Sequence, residues 1–262
     1  MTSPTLSIVT PTFNREGVVS RALDSSLELI KQGFAQEIIL VDDASTDNTV
    51  SFIKNKYRNE LESGKIKFIE LEQNVGVTGA KNAGARLAQG DWIAFMDSDD
   101  IFLKNSGEVL VSELIANSGF SLFYFRCSDL DSGKLIGQQQ KAQEISISEL
   151  LNGGTPGECL PVMKSEVAKQ FPYNESLRGC ESLSYLKLAS EGYNIFLSDK
   201  IVRGYDSSGD DRLSTKKAIK NRADKLLKYH FKTLQFAKYA TLTTFFGILF
   251  RIAYYSGVKI LK

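Results

Sequence analysis

The chain has 262 residues, 42% hydrophobic and 24% charged, with 32 basic against 31 acidic side chains and a net charge of +1. Such a chain can bury a full core as one large α/β domain or two small ones, and without a basic stripe it does not read as a nucleic-acid binder. A single histidine, His230, excludes histidine-built metal sites and serine–histidine triads, so metal and proton chemistry must rest on carboxylates. Cys127, Cys159 and Cys180 form no C-x-x-C pair and are odd in number, which suits a reduced, cytoplasmic compartment. The stretch Met1 to Thr5 has no secretory pattern, and no run of about 18 apolar residues marks a certain membrane span.

In chain order, Leu6 to Thr10 reads as a short buried strand closed by Pro11. Arg15 to Gly33 carries Val18, Val19, Ala22, Leu23, Leu27 and Ile30 at helical spacing, with Gly33 as the stop. Glu37 to Val41 is a second buried strand, followed by Asp42-Asp43 and a helix over Thr49 to Ser63. Lys65 to Leu71 alternates as a strand, Gly79 to Gln89 is an Ala-rich helix, and Asp91 to Met96 is a strand ending in Asp97-Ser98-Asp99-Asp100. Further on, a helix is expected near Glu108 to Ser118, a strand near Ser121 to Arg126 and a loop over Asn152 to Gly157. A helix from Cys180 to Gly192 and a strand near Ile195 to Leu197 close the domain, and the chain turns helical from Lys216.

Alternating strands and helices predict a mostly parallel sheet flanked by helices on both faces. Ligands of such sheets bind at the carboxyl ends of the strands. Polar clusters fall at those ends: Thr12-Phe13-Asn14, Asp42-Asp43 and Asp97 to Asp100. Taken alone, an Asp-rich turn is a helix cap, an Asp at a strand end is solvation, and Phe13 is core. Their convergence favours a site. Carboxylates without histidine or thiolate suit Mg2+ or Mn2+, which bind through one or two carboxylates plus substrate phosphate. A Walker A loop is absent, since Gly76 to Asn82 lacks its pattern, and no G-x-G-x-x-G follows the first strand.

Four motifs stand in order: Ser7 to Asn14 (Ser-Ile-Val-Thr-Pro-Thr-Phe-Asn), Val41 to Asp47, Asn74-x-Gly76-x-x-x-Ala80-Lys81-Asn82-x-Gly84, and Phe95 to Asp100. Together they resemble the family 2 glycosyltransferases of the GT-A fold, strongly over residues 5 to 105 and more thinly to about 205. The resemblance implies an inverting transferase that takes a sugar from a nucleotide-diphosphate donor, UDP-linked by expectation. Pro11, Thr12, Asn14 and Asp42 would lie at the nucleoside, with Asp42 accepting from the base, and Lys81 near the donor. Asp97 would approach ribose and sugar, Asp99 would bind the metal, and Asp100 would stand behind them. The family's base lies in a Glu-Asp pair on a helix of the second half. Here Cys180 occupies the Glu position and Glu181 the Asp position, so Glu181 is the candidate base; otherwise it is an exposed helix-start carboxylate. Glu158 and Asp206 are next in line.

The expected organisation is a GT-A domain over 1–212, with a nucleotide half (1–105) and an acceptor half (106–212), then a helical tail (213–262). Gly204 to Ser214 is either a plain polar loop or a flap carrying Arg212 to the phosphates. The tail mixes Phe245, Phe246, Ile248, Leu249, Phe250, Ile252, Tyr254 and Tyr255 with Arg251 and Lys259. It suits either packing on the domain or a partner, or lying on an anionic membrane surface beside a lipid-linked saccharide acceptor. Arg251 argues against a spanning helix. Every expected donor contact precedes the tail. Rival readings are a nucleotidyltransferase and a non-catalytic nucleotide-sugar-binding or scaffold protein; oligomerisation stays open.

Overall fold

The computed structural model describes residues 3–208 and 216–260. In chain order the elements are β1 (Leu6–Thr12), α1 (Val19–Lys31), β2 (Glu37–Asp42), α2 (Thr49–Lys56), α3 (Arg58–Glu62), β3 (Ile66–Glu70), α4 (Gly76–Leu87), β4 (Trp92–Phe95), β5 (Ile101–Phe102), α5 (Ser106–Ala116), β6 (Leu122–Asp129), β7 (Gln143–Ile145), α6 (Ile147–Gly153), β8 (Cys159–Lys164), α7 (Ser165–Gln170), α8 (Ser182–Ser190) and β9 (Ile195–Tyr205). The tail holds α9 (Lys216–Asn221), α10 (Ala223–Thr233), a 3-10 turn (Leu234–Tyr239) and α11 (Leu242–Ile260).

The strands form one sheet in the order β3-β2-β1-β4-β8-β6-β9-β5, with β7 also on β9. β3, β2, β1 and β4 pair in parallel, as does β6 with β9, whereas β8, β5 and β7 run antiparallel to their neighbours. The mixed, mostly parallel α/β expectation therefore holds. One face packs Val9, Ile39, Val41 and Phe95 against Ala80 and Ala85 of α4 and Leu183 and Leu186 of α8. The other packs Ile8, Ile38, Leu40 and Trp92 against Val19 and Leu23 of α1 and Leu110 and Leu114 of α5. Alternation of side chains along each strand produces this division. Gly84 lets α4 settle onto the sheet: a Cβ there would lie 2.5 Å from Val9 Cγ1.

Several boundaries differ from the sequence reading. Pro11 does not end β1, because Pro11 and Thr12 still pair with Val41 and Asp42 of β2. Carbonyls of Val9 and Thr12 point to opposite neighbours, so the missing Pro11 amide faces the β4 side, where β4 has already stopped at Phe95. The helix expected over Thr49 to Ser63 breaks at Tyr57, whose hydroxyl donates to Asp24 Oδ1 (2.7 Å) and Ser20 O (3.1 Å). β5, β7, α6, β8 and α7 went unread. Each is too short for a periodic signal, and β8 contains Pro161.

The tail folds back onto the domain. Ser148 Oγ donates to Tyr239 O (3.0 Å), Thr241 N to Asn152 Oδ1 (2.9 Å), and Tyr229 OH lies 3.0 Å from Ser182 Oγ. Phe236 is buried in the core on the α8 side. The outer face of α11 keeps Leu242, Phe246, Phe250 and Tyr254 exposed. No helix among the described residues is long and apolar enough to cross a membrane.

Candidate functional site

At the ends of β1 and β2 the polar side chains bind one another. Asn14 adopts a left-handed conformation (φ 52°), and its Oδ1 accepts from Thr46 N at 2.8 Å. Asp42 accepts from Ser45 N (2.8 Å) and Ser45 Oγ (2.5 Å), while Ser45 Oγ also accepts from Asn14 N (2.9 Å). Asp43 receives the amides of Val75 (2.7 Å) and Gly76 (2.8 Å) and so fixes the start of α4. Burial pushes the Asp43 carboxyl up despite these bonds. Pro11 and Thr12 are buried, and Thr12 Oγ1 has no hydrogen-bond partner among the described residues. Phe13 is half-buried.

The turn after β4 differs in kind. Asp97 Oδ1 lies 2.9 Å from Lys81 Nζ, and Asp97 Oδ2 lies 3.5 Å from Arg203 Nη1. Desolvation opposes the Asp97 charge, but Lys81 and Arg203 outweigh it and lower its pKa. Burial likewise opposes the Lys81 charge, and Asp97 and Glu181 overcome it, raising the Lys81 pKa. Asp100 is fully buried; burial drives its carboxyl to about 7 even with Arg203 Nη1 3.3 Å away. Asp99 stands 3.9 Å from Arg15 Nη2 and remains 35% exposed. Its carbonyl accepts from Arg21 at 2.6 Å, and Arg21 also pairs with Asp206. Asp206, a fallback base, is thereby committed, with its amide donating to Asp100 Oδ1 (2.9 Å).

A cavity of about 510 Å³ opens beside this turn, lined by Lys81, Asp97, Glu158, Glu181, Tyr185 and Arg203, with Tyr229 and Arg251 arriving from the tail. Glu181 occupies the N-cap position of α8 without a side-chain capping bond, and the candidate base and the donor-side groups line one chamber. Glu158 Oε2 is 3.8 Å from Arg203 Nη2. Cys180, in the position of the family's Glu, is buried, and burial raises its thiol to about 11. A second cavity, of about 680 Å³, shares Asn152 to Thr155 with the first and is lined by Gln138, Gln140 and Gln143. Arg212 lies outside the described residues, as does most of the expected flap.

Sequence reasoning missed Arg203, Tyr229 and Arg251. Arg203 leaves a trace, a lone basic residue in the strand Ile201-Val202-Arg203-Gly204-Tyr205, but its partners Asp97 and Asp100 lie over 100 positions away. Among the described residues no three carboxylate, thiol or imidazole groups are placed to enclose a metal. Asp99, 35% exposed, is a hard oxygen donor of the kind that would hold a hard divalent ion together with substrate phosphate and water.

A carboxylate turn at the end of a parallel strand, balanced by buried cations and opening on a cavity, marks an α/β protein of the GT-A type. The chain belongs to glycosyl transferase family 2, whose family model matches residues 7–153. It is 30% identical over 219 residues to the GalNAc(5)-diNAcBac-PP-undecaprenol beta-1,3-glucosyltransferase of Campylobacter jejuni, covering 77% of this chain and 68% of that one. It is 31% identical over 159 residues to the Escherichia coli UDP-Glc:alpha-D-GlcNAc-diphosphoundecaprenol beta-1,3-glucosyltransferase WfgD, covering 60% of this chain and 59% of the relative. Among solved structures, S. aureus TarS 1-349 in complex with UDP-GlcNAc superposes with a TM-score of 0.69 at 21% identity, over 88% of this chain and 65% of that one. The mannosyltransferase PcManGT from Pyrobaculum calidifontis, in complex with GDP-Man and Mn2+, gives 0.64 at 18% identity, over 97% and 70%.

Proposed function

We propose that this chain is an inverting glycosyltransferase that moves a sugar from a UDP-sugar to a hydroxyl of a lipid-linked saccharide in bacterial-type surface glycan synthesis. The supporting observation is the shared cavity: Glu181, Lys81 and Asp97 face one chamber, and Glu181 acts electrostatically on Lys81. The relatives' names supply UDP-glucose and diphospho-lipid acceptors, which come to this chain as part of the proposal.

In this reading Glu181 takes the proton of the acceptor hydroxyl. The hydroxyl oxygen bonds to the anomeric carbon as the bond from that carbon to the phosphate oxygen breaks, and UDP leaves from the opposite face, inverting the centre. Positive charge develops on the sugar ring, as in other glycosyl chemistry. Thr12, Asn14 and Asp42 border the nucleoside. Because Asn14 and Asp42 are already tied to their own loop, their part is largely to shape it. Lys81 and Arg203 hold Asp97 ionised toward ribose and sugar. Mg2+ or Mn2+ bound at Asp99 with the diphosphate would supply Lewis-acid stabilisation of the leaving group. Glu158 is the alternative base within the cavity.

UDP release from UDP-glucose and UDP-GlcNAc, with and without Mn2+, tests the activity, and Glu181→Gln tests the base. Metal-dependent release, slowed about a hundredfold or more in Glu181→Gln with donor affinity retained, is expected. Donor binding without turnover in the unaltered chain would instead mark a nucleotide-sugar-binding protein. A peripheral position on the inner membrane face is part of the proposal, through the exposed face of α11. Flotation with anionic vesicles that weakens with salt supports it; a chain that stays in solution at low salt removes it.

A further inference from the structure

Lys81, Asp97, Asp99 and Glu181 serve the donor or the proton in the reading above. Arg251 does neither, yet it lines the cavity together with Glu181 and Ser182. It comes from α11, reaches the wall beside Tyr229, and acts electrostatically on Tyr229 and His230. The ring of His230 stacks on Tyr255, one helical turn beyond Arg251, with centroids 5.7 Å apart, and this pins α11 to α10. Arg251 forms no ion pair with a described residue. Two more cations come from the start of α10: Arg222, whose Nε and Nη1 are buried without a hydrogen-bond partner, and Lys225. Both act on Cys180, the neighbour of Glu181.

Three cations, Lys81, Arg203 and Arg251, line the cavity with three carboxylates, Asp97, Glu158 and Glu181, and they are not evenly paired. On the donor side, Asp97 and Asp100 are matched by Lys81 and Arg203. On the tail side, Arg251 is the lining cation and no ion pair joins it to a described carboxylate, while Arg222 and Lys225, outside the lining, add positive charge near Cys180. The same α11 contains no Asp or Glu, and it turns Leu242, Phe246, Phe250 and Tyr254 outward. An unmatched cation at the cavity wall, on a helix with an exposed apolar face, is complementary to a molecule that joins a phosphate to a hydrocarbon chain.

We infer that Arg251 binds the phosphate through which the acceptor saccharide is joined to its lipid, with the lipid lying along the outer face of α11. This rests on the transferase reading above and adds to it the part of the acceptor that the tail recognises. The tail then belongs to the acceptor site. It sets the reacting sugar between Arg251 and Glu181, so the enzyme favours acceptors whose phosphate stands close to the hydroxyl that reacts.

Two acceptors with the same sugar decide it: N-acetylglucosamine joined to a polyprenyl chain through a diphosphate, and the same sugar on a neutral alkyl chain. Each is assayed in detergent with the full chain, Arg251→Gln and Arg251→Lys, after thermal melting confirms that each variant folds. The expected result is that Arg251→Gln lowers the ratio of kcat/KM for the diphosphate-linked over the neutral acceptor about tenfold or more, chiefly through KM. Arg251→Lys should recover part of that ratio, since it keeps the charge and loses the fork. An equal fall for both acceptors would overturn the inference, because packing or donor-phosphate contact predicts it. So would a variant that loses flotation on anionic phospholipid vesicles while keeping the acceptor ratio, which would make Arg251 a headgroup contact. Should the unaltered chain transfer to neither acceptor, the transferase reading fails separately. Direct binding of the two lipids to the full chain and Arg251→Gln then still decides, with a preference for the diphosphate lipid that disappears in the variant supporting the inference and equal binding overturning it.

Discussion

Two acidic turns follow parallel strands in this molecule, and they look alike on paper: Asp42-Asp43 after β2 and Asp97-Ser98-Asp99-Asp100 after β4. In the first, each carboxylate is bonded locally, Asp42 to Ser45 and Asp43 to the amides that open α4. In the second, the charged partners are guanidinium and ammonium groups from α4, β9 and the loop after β1, Asp100 also takes a backbone amide, that of Asp206, and Asp97 and Asp99 keep about a third of their surface open (36% and 35%). A carboxylate satisfied by backbone amides shapes a loop. One balanced by cations from distant elements and still partly exposed is available to a ligand. The difference lies in the partners, and those come from other strands.

The largest expected effect tests the open turn. Asp99→Asn should leave the melting temperature close to that of the parent and reduce metal-dependent UDP release at least about a hundredfold, because an amide is a poor ligand for a hard cation. Normal turnover of the variant in EDTA would remove the metal from the mechanism. The closed turn should behave in the opposite way. Asp43→Ala leaves the amides of Val75 and Gly76 without their acceptor, so stability should fall by about 1–3 kcal/mol in urea unfolding. The share of molecules that stay folded should keep most of their turnover. A variant as stable as the parent but inactive would put Asp43 among the ligand contacts and erase the distinction.

The smallest effect extends the comparison to a group whose charge the fold excludes. His230 is 6% exposed between α10 and α11, and burial, with Arg251 nearby, lowers its pKa from 6.5 to about 4. Between those values the unfolded chain binds a proton that the folded chain does not. The contribution of His230 to stability is therefore complete above about pH 6.5 and is lost as pH falls toward 4. Urea midpoints between pH 7.5 and 5 should drop less steeply in His230→Gln than in the parent. Equal slopes would show that His230 is hydrated and that the tail docks less firmly than its contacts indicate.

Local chemistry along the chain determined the parallel strands β1 to β4, the stripe of α1, the polar strand ends and the four motifs that resemble the family. These signals are short-range: apolar runs, helical spacing, and carboxylates that must follow a buried strand. The place of Glu181 at the head of α8 was also legible, through its register with Tyr185 and Lys187 on the helix and Gly192 after it. Tertiary structure alone decided which carboxylates were already satisfied, because Asp43 meets Val75 and Gly76 across a helix junction, and Asp97 meets Arg203 across the sheet. It also decided that Arg251, on a tail helix that reads equally as a packing or a membrane element, lines the same cavity as Lys81. The physical reason is one of range. Periodicity and capping act over a few residues, whereas charge pairing in a buried site is set by whichever elements the packed sheet brings together.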